Sequence, residues 1–137
     1  MSILPDTNVW ICLLKNRGGQ LQSRVESHAV SEVFFCSVVK AELWYGARQY
    51  GNVQKRLHAL EMLFAPFVSL PFDDAAASHY AEIRHELENQ GRVIGPNDLK
   101  IAAIARARGL TLVSSDREFS RVPGLQLEDW SQAANEG

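Results

Sequence analysis

Apolar residues come in two rhythms along this chain. Short runs with little polar alternation fall at residues 2–4, 33–37, 67–70 and 111–114. That pattern suits strands buried on both faces of a parallel sheet. Residues 126–127 add a short edge strand. Between the runs the spacing turns helical. Ala76, Tyr80, Ile83 and Leu87 mark one apolar face and predict a helix over 74–90, capped by Asp73 or Asp74 and stopped at Gly91. Pro96 opens a second helix over 96–108, where Ile101, Ala102 and Ala105 allow close packing and Gly109 ends it. Residues 38–48 and 53–64 read as helices too. Strands alternating with helices predict an α/β fold with a mostly parallel sheet of four to five strands. In such sheets, sites form at the carboxyl ends of the strands.

The bulk properties narrow this picture. A chain of 137 residues fits one domain over 1–137, with a short polar tail after residue 131. A hydrophobic fraction of 46% and a charged fraction of 22% exclude a largely disordered chain. The net charge of −2 provides no general basic field, so attraction to a nucleic acid has to come from local Lys and Arg or from metal ions. Cys12 and Cys36 lie in separate apolar settings. They read as buried, reduced thiols, not as a disulfide framework or a zinc site. No apolar run approaches the roughly 20 residues of a membrane span, and the N-terminus lacks the pattern of a signal peptide. A cytoplasmic protein without membrane attachment is expected.

The chemistry lies in where the acids fall. The stretch "ILPDTNVW" begins as a buried strand, meets Pro5, and then presents Asp6, Thr7 and Asn8 in a row. Glu42 follows the second strand in "SVVKAELWYGA". Asp98 sits in the first helical turn of "GPNDLKIAAIA", and Asp116 follows the fourth strand in "TLVSSDREF". Parallel strands deliver all of these to one edge of the sheet. Converging carboxylates repel, and desolvation adds to the cost. A hard divalent cation such as Mg²⁺ or Mn²⁺ relieves it, because it takes oxygen ligands and keeps waters. A site of that kind orients a phosphodiester and activates water. Taken singly, Asp98 and Asp116 also fit helix-cap or turn roles. Asp73 and Asp74 read as caps only.

The blocks "ILPDTNVW", "AELWYGA" and "IGPNDLKIAAIARARGLTLVSSDREFSRVPGLQLEDW" together resemble a PIN domain, more narrowly the VapC-type toxin ribonucleases of bacterial toxin–antitoxin pairs. The resemblance spans nearly the whole chain. It implies a three-layer α/β/α sandwich and an endoribonuclease dependent on Mg²⁺ or Mn²⁺. Asp6, Glu42 and Asp98 match the family's core acids, and Asp116 matches its fourth position, which is Asp or Asn. Thr7 and Asn8 become polar supports of the metal site, as do Ser114 and Ser115. The resemblance also implies an antitoxin that masks the cleft and a homodimer. Pro5 departs from the family, which commonly has an apolar residue there. Proline cannot donate to a sheet ladder, so the strand is expected to end or shift its pairing at that point.

Arg84 and Arg92 are candidates for RNA phosphate contacts, with solvated helix-surface arginines as the equal alternative. His28, His58, His79 and His85 have no metal-ligand spacing. Trp10, Trp44 and Tyr45 lie near the acids and are expected in the core, or else in a groove for a partner. A haloacid-dehalogenase-like phosphatase wants a second Asp two residues after the first, where Asn8 stands. A non-catalytic PIN-like module binding RNA or protein is the remaining alternative. It would be marked by loss of one of the acids, and this chain keeps all four.

Overall fold

The computed structural model describes residues 1–16 and 19–131. The polar tail expected after residue 131 lies outside the described residues. Strands β1 (Ile3–Pro5), β2 (Phe34–Cys36), β3 (Val68–Leu70), β4 (Thr111–Val113) and β5 (Gln126–Glu128) alternate with helices. The helices are α1 (Thr7–Lys15), α2 (Gln20–Glu26), α3 (Ser37–Arg48), α4 (Val53–Phe64), α5 (Asp74–Asn89) and α6 (Pro96–Arg108). All the paired strands run parallel. Across the sheet the order is β3-β2-β1-β4-β5, with the β2–β3 pair joined to the rest by a single bridge from Ile3 to Val33. Crossovers from β1 to β3 step one way, and the return through α5 and α6 steps the other. Right-handed connections therefore cover opposite faces. This is the expected α/β architecture, and its strand order reverses between β1 and β4.

Pro5 explains why the sheet has this seam. In a parallel strand, successive residues turn their N–H and C=O groups to alternate neighbours. Thr111 N–H donates to the Ser2 carbonyl at 3.0 Å, and Asp6 N–H donates to the Val113 carbonyl at 3.0 Å. Even-numbered residues of β1 thus face β4. Ile3 and Pro5 face β2, and Pro5 has no N–H to offer there. Its carbonyl instead accepts the indole N–H of Trp10 at 3.1 Å. The strand ends at Pro5, as expected, and it does so without a shift of pairing on the β4 side, where Pro5 stays in register with Val113. Asp6 is therefore fixed by an unbroken ladder.

Helices α4 and α6 have the predicted bounds, and α5 ends one residue earlier than expected, at Asn89. Asp73 caps α5 by accepting Ala76 N–H at 3.0 Å. Gly91 and Gly109 adopt φ of 65° and 66°, the left-handed conformation that lets the chain leave α5 and α6. Helix α3 starts at Ser37, a residue expected in the strand. Helices α1 and α2 were not expected. In the α1 segment TNVWICLLK the exposed face is only Asn8, Cys12 and Lys15, opposite buried Val9, Trp10 and Leu13, so its apolar content masks the helical rhythm and the Asp6 cap is its clearest mark.

The core lies on both faces of the sheet. Ile3, Leu4, Phe35, Leu112 and Val113 are fully buried. Trp10 stacks on Phe35 with ring centroids 4.1 Å apart, and Phe64 and Phe67 complete the aromatic cluster. Burial of such side chains stabilises the fold by roughly 1.5–3 kcal/mol each. Two cysteine and aromatic expectations are corrected. Cys36 is buried but Cys12 is exposed on α1. Trp10 is buried, Trp44 packs edge-on against Phe64 while keeping its outer side exposed, and Tyr45 projects from α3 into solvent.

Candidate active site

The carboxyl ends of β1 and β4 lie side by side where the strand order reverses. That is the position at which open α/β sheets form their crevice. Asp6 leaves β1 and caps α1, its Oδ1 accepting Val9 N–H at 3.0 Å. It is only 5% exposed. One residue on, Thr7 Oγ1 donates to Glu42 Oε1 of α3 at 2.6 Å. This bond ties α1 to α3 and fixes where the Glu42 carboxylate stands.

The β4 end is built the same way. Ser114, 2% exposed, accepts Asp116 N–H on its Oγ at 3.0 Å. Its side chain also faces the Asp6 carboxylate and works to lower its pKa. One serine therefore links the two strand-end acids. Asp116 then caps the 3-10 turn Arg117–Arg121 by accepting Glu118 N–H at 2.9 Å. Asp98 comes from the first turn of α6, immediately after Pro96 and Asn97. Carboxylate oxygens of Asp98, Asp116 and Glu118 all lie within 4.8 Å of one another.

Electrostatics bind these acids into one unit. Burial pushes the Asp98 carboxyl up to about 6, and Asp116, Glu42, Asp6 and Glu118 add repulsion in that order. Asp6 is also raised, chiefly by burial, against the lowering effect of its hydrogen bonds from Ser114 and Val9 N–H. Asp116 and Glu42 add to the rise. The donors are oxygens only, with no imidazole or thiolate in the cluster, which matches a hard divalent cation.

The structure brings Asp6, Glu42, Asp98 and Asp116 together, with Thr7 and Ser114 supporting them. Asn8 and Ser115 are exposed, and among the described residues their side chains make no hydrogen bond. Arg84 is engaged on its own helix, with Nε on Glu88 at 2.7 Å and a contact to the Tyr80 hydroxyl at 3.2 Å. Arg92 is exposed just beyond α5. Among the described residues, no contact draws either arginine to the acids. Sequence reasoning missed Glu118. The available signal was its place two residues after Asp116, on a turn that Asp116 itself caps.

A half-buried, all-oxygen acid cluster at the switch point of a parallel sheet, with Asp6 buried beneath it, suits the binding of a divalent cation and a phosphate ester. The PIN-domain family profile matches residues 3–125. The chain is 39% identical over 132 residues to the tRNA(fMet)-specific endonuclease VapC of Shigella flexneri, covering 96% of this chain and 99% of that one. It is 37% identical over 126 residues to the ribonuclease VapC of Haemophilus influenzae, covering 91% and 95%. The crystal structure of DNA-bound VapBC from Salmonella typhimurium matches with a TM-score of 0.89 at 34% identity, covering 95% of this chain and 98% of that one. The chain belongs to the PIN-domain family, in its VapC branch.

Proposed function

We propose that this protein is a divalent-metal-dependent endoribonuclease, the toxin of a VapBC-type toxin–antitoxin pair. The observation that carries the reading is the convergence of one buried and several half-buried carboxylates at the β1 and β4 ends, with Asp98 raised to about 6. Raised carboxyls mark a site that lacks a compensating positive charge. Asp6, Glu42, Asp98 and Asp116 are the residues that would hold Mg²⁺ or Mn²⁺, with Glu118 as a further oxygen donor. When bound, such an ion supplies charge to a scissile phosphate and lowers the pKa of an attacking water.

The chain's own residues prepare the site. Ser114 holds the Asp6 carboxylate and the Asp116 backbone in one arrangement. Thr7 does the same for Glu42. Such supports are worth 10–100-fold in metal affinity or activity in comparable sites. No described residue stands as a covalent nucleophile in the cluster, and the reaction needs none. The non-catalytic alternative gains nothing here, since every expected acid is present and clustered.

The protein works in the cytoplasm as a homodimer, and a cognate antitoxin restrains it. No described helix is long and apolar enough to cross a membrane. The relative from Shigella flexneri is named for tRNA(fMet), which makes that RNA the first substrate to test. The experiment is cleavage of tRNA(fMet) and of total RNA by purified protein freed of any partner, in Mg²⁺, Mn²⁺ or EDTA, beside Asp98→Asn. Discrete products that need the metal and vanish in the variant are expected. Cleavage that persists in EDTA, or undiminished cleavage by Asp6→Asn, overturns the reading.

A further inference from the structure

A cleft of about 500 Å³ runs between α1 and the α3–α4 pair, and Glu42 is part of its lining. Its floor includes the buried side chains of Leu43 and Leu60. Its mouth carries Lys15, Arg56 and Tyr50, all exposed. The Arg56 guanidinium lies 5.4 Å from the Tyr50 ring centroid, and its Nε donates to the Gly51 carbonyl at 2.9 Å. These two contacts place the Arg56 side chain at the cleft mouth beside Tyr50.

Gly46 also lines the cleft, from within α3. Glycine weakens a helix interior, and here no internal contact requires it. A Cβ at this position would meet no atom within 4 Å. The missing side chain leaves room in the cleft, not room for a neighbour in the fold.

We infer that this cleft is a nucleotide subsite for the RNA strand that continues from the scissile phosphate, an inference that rests on the proposed ribonuclease reading. Glu42 belongs to both places, so a strand held at the acids passes directly into the cleft. Lys15 and Arg56 meet its phosphates. Tyr50 offers a face for a base to stack upon, and the apolar floor takes another face of the nucleotide. Two cations at the lips favour a polyanion. In a chain of net charge −2 such local charge is what an RNA strand requires.

The test reads binding, not cleavage. A short, labelled, mixed-sequence single-stranded RNA is titrated in EDTA by fluorescence anisotropy over a salt series, with wild type, Gly46→Met and Lys15→Gln. Mn²⁺ affinity is measured separately by calorimetry. Gly46→Met, which plugs the cleft, should weaken RNA binding by about tenfold or more, the size of one lost base contact. Its Mn²⁺ affinity should match wild type. Lys15→Gln should lower the slope of log Kd against log salt by roughly 0.7, one single-strand phosphate. If Gly46→Met does not fold, the Lys15→Gln slope decides. Unchanged RNA affinity and unchanged slope overturn the proposal and leave the cleft to a protein segment. Absence of cleavage by the wild type counts against the nuclease reading alone.

Discussion

Replacing Asp98 with Asn should make the metal-free protein more stable while removing its activity. In the folded state Asp98 is raised from 3.8 to about 6, first by burial and then by Asp116, Glu42, Asp6 and Glu118. At 1.36 kcal/mol per pH unit, that rise corresponds to about 3 kcal/mol of destabilisation above pH 6. Asp98 is partly exposed, so solvent screening reduces this to about 1.5 kcal/mol. Its place in the first turn of α6 returns some stability through the helix dipole, about 0.5 kcal/mol, which Asn forgoes. The net gain for Asp98→Asn is about 1 kcal/mol at pH 7.5, or about 3–5 °C in Tm. The sign follows from proton counting. Between 3.8 and about 6 the folded state holds a proton that the unfolded state has released, so wild type loses stability as pH rises through that window. The variant's advantage should vanish below the window and be complete above it. Metal should invert the order. Saturating Mn²⁺ at 100 times its Kd adds about 2.7 kcal/mol to wild type and little to the variant. The assay is thermal unfolding of both proteins from pH 4 to 8, with EDTA and with Mn²⁺. A variant no more stable than wild type in EDTA at pH 7.5, or an advantage equal at pH 4 and 7.5, refutes the reasoning.

Three further outcomes follow from single contacts. Thr7→Val removes the hydroxyl that donates to Glu42 and should lower RNA cleavage by roughly 10-fold or more, with Tm near that of wild type. Single-turnover rates and melting curves on the same preparation check this. Ser114→Ala leaves a buried Asp6 carboxylate and the Asp116 N–H short of a partner, and should cost about 1–3 kcal/mol in urea unfolding. Losing that bond also raises Asp6 further, so half-maximal Mn²⁺ binding should move to higher pH in a calorimetric titration. Trp10→Phe deprives the Pro5 carbonyl of its donor on the side where β1 lacks a ladder, and should cost about 1–3 kcal/mol by the same denaturant measurement.

Much of this protein was legible along the chain because its signals are local. A run such as Thr111–Val113 is built of β-branched and apolar residues and carries no charge, and Gly109 before it needs only its own backbone freedom to end α6. Asp6 was legible as a strand-end acid from "ILPDTNVW" alone, without any contact being known. Helix α1 was hard to read in the same stretch, because its exposed face holds only Asn8, Cys12 and Lys15 and the rest is apolar. Glu118 had only its place two residues after Asp116 as a signal, since its approach to Asp98 crosses from a 3-10 turn to the start of α6. The same holds for the supports. Nothing in the one-dimensional order separates Thr7 from Asn8, or Ser114 from Ser115. The direction of each side chain does, and the β1–β4 register sets it. Pro5 is the clearest case. The sequence by itself determined that a backbone donor was missing there. Only the tertiary structure decided that the gap faces β2, leaving the ladder that holds Asp6 intact, because which neighbour a strand residue faces depends on pairing across the sheet.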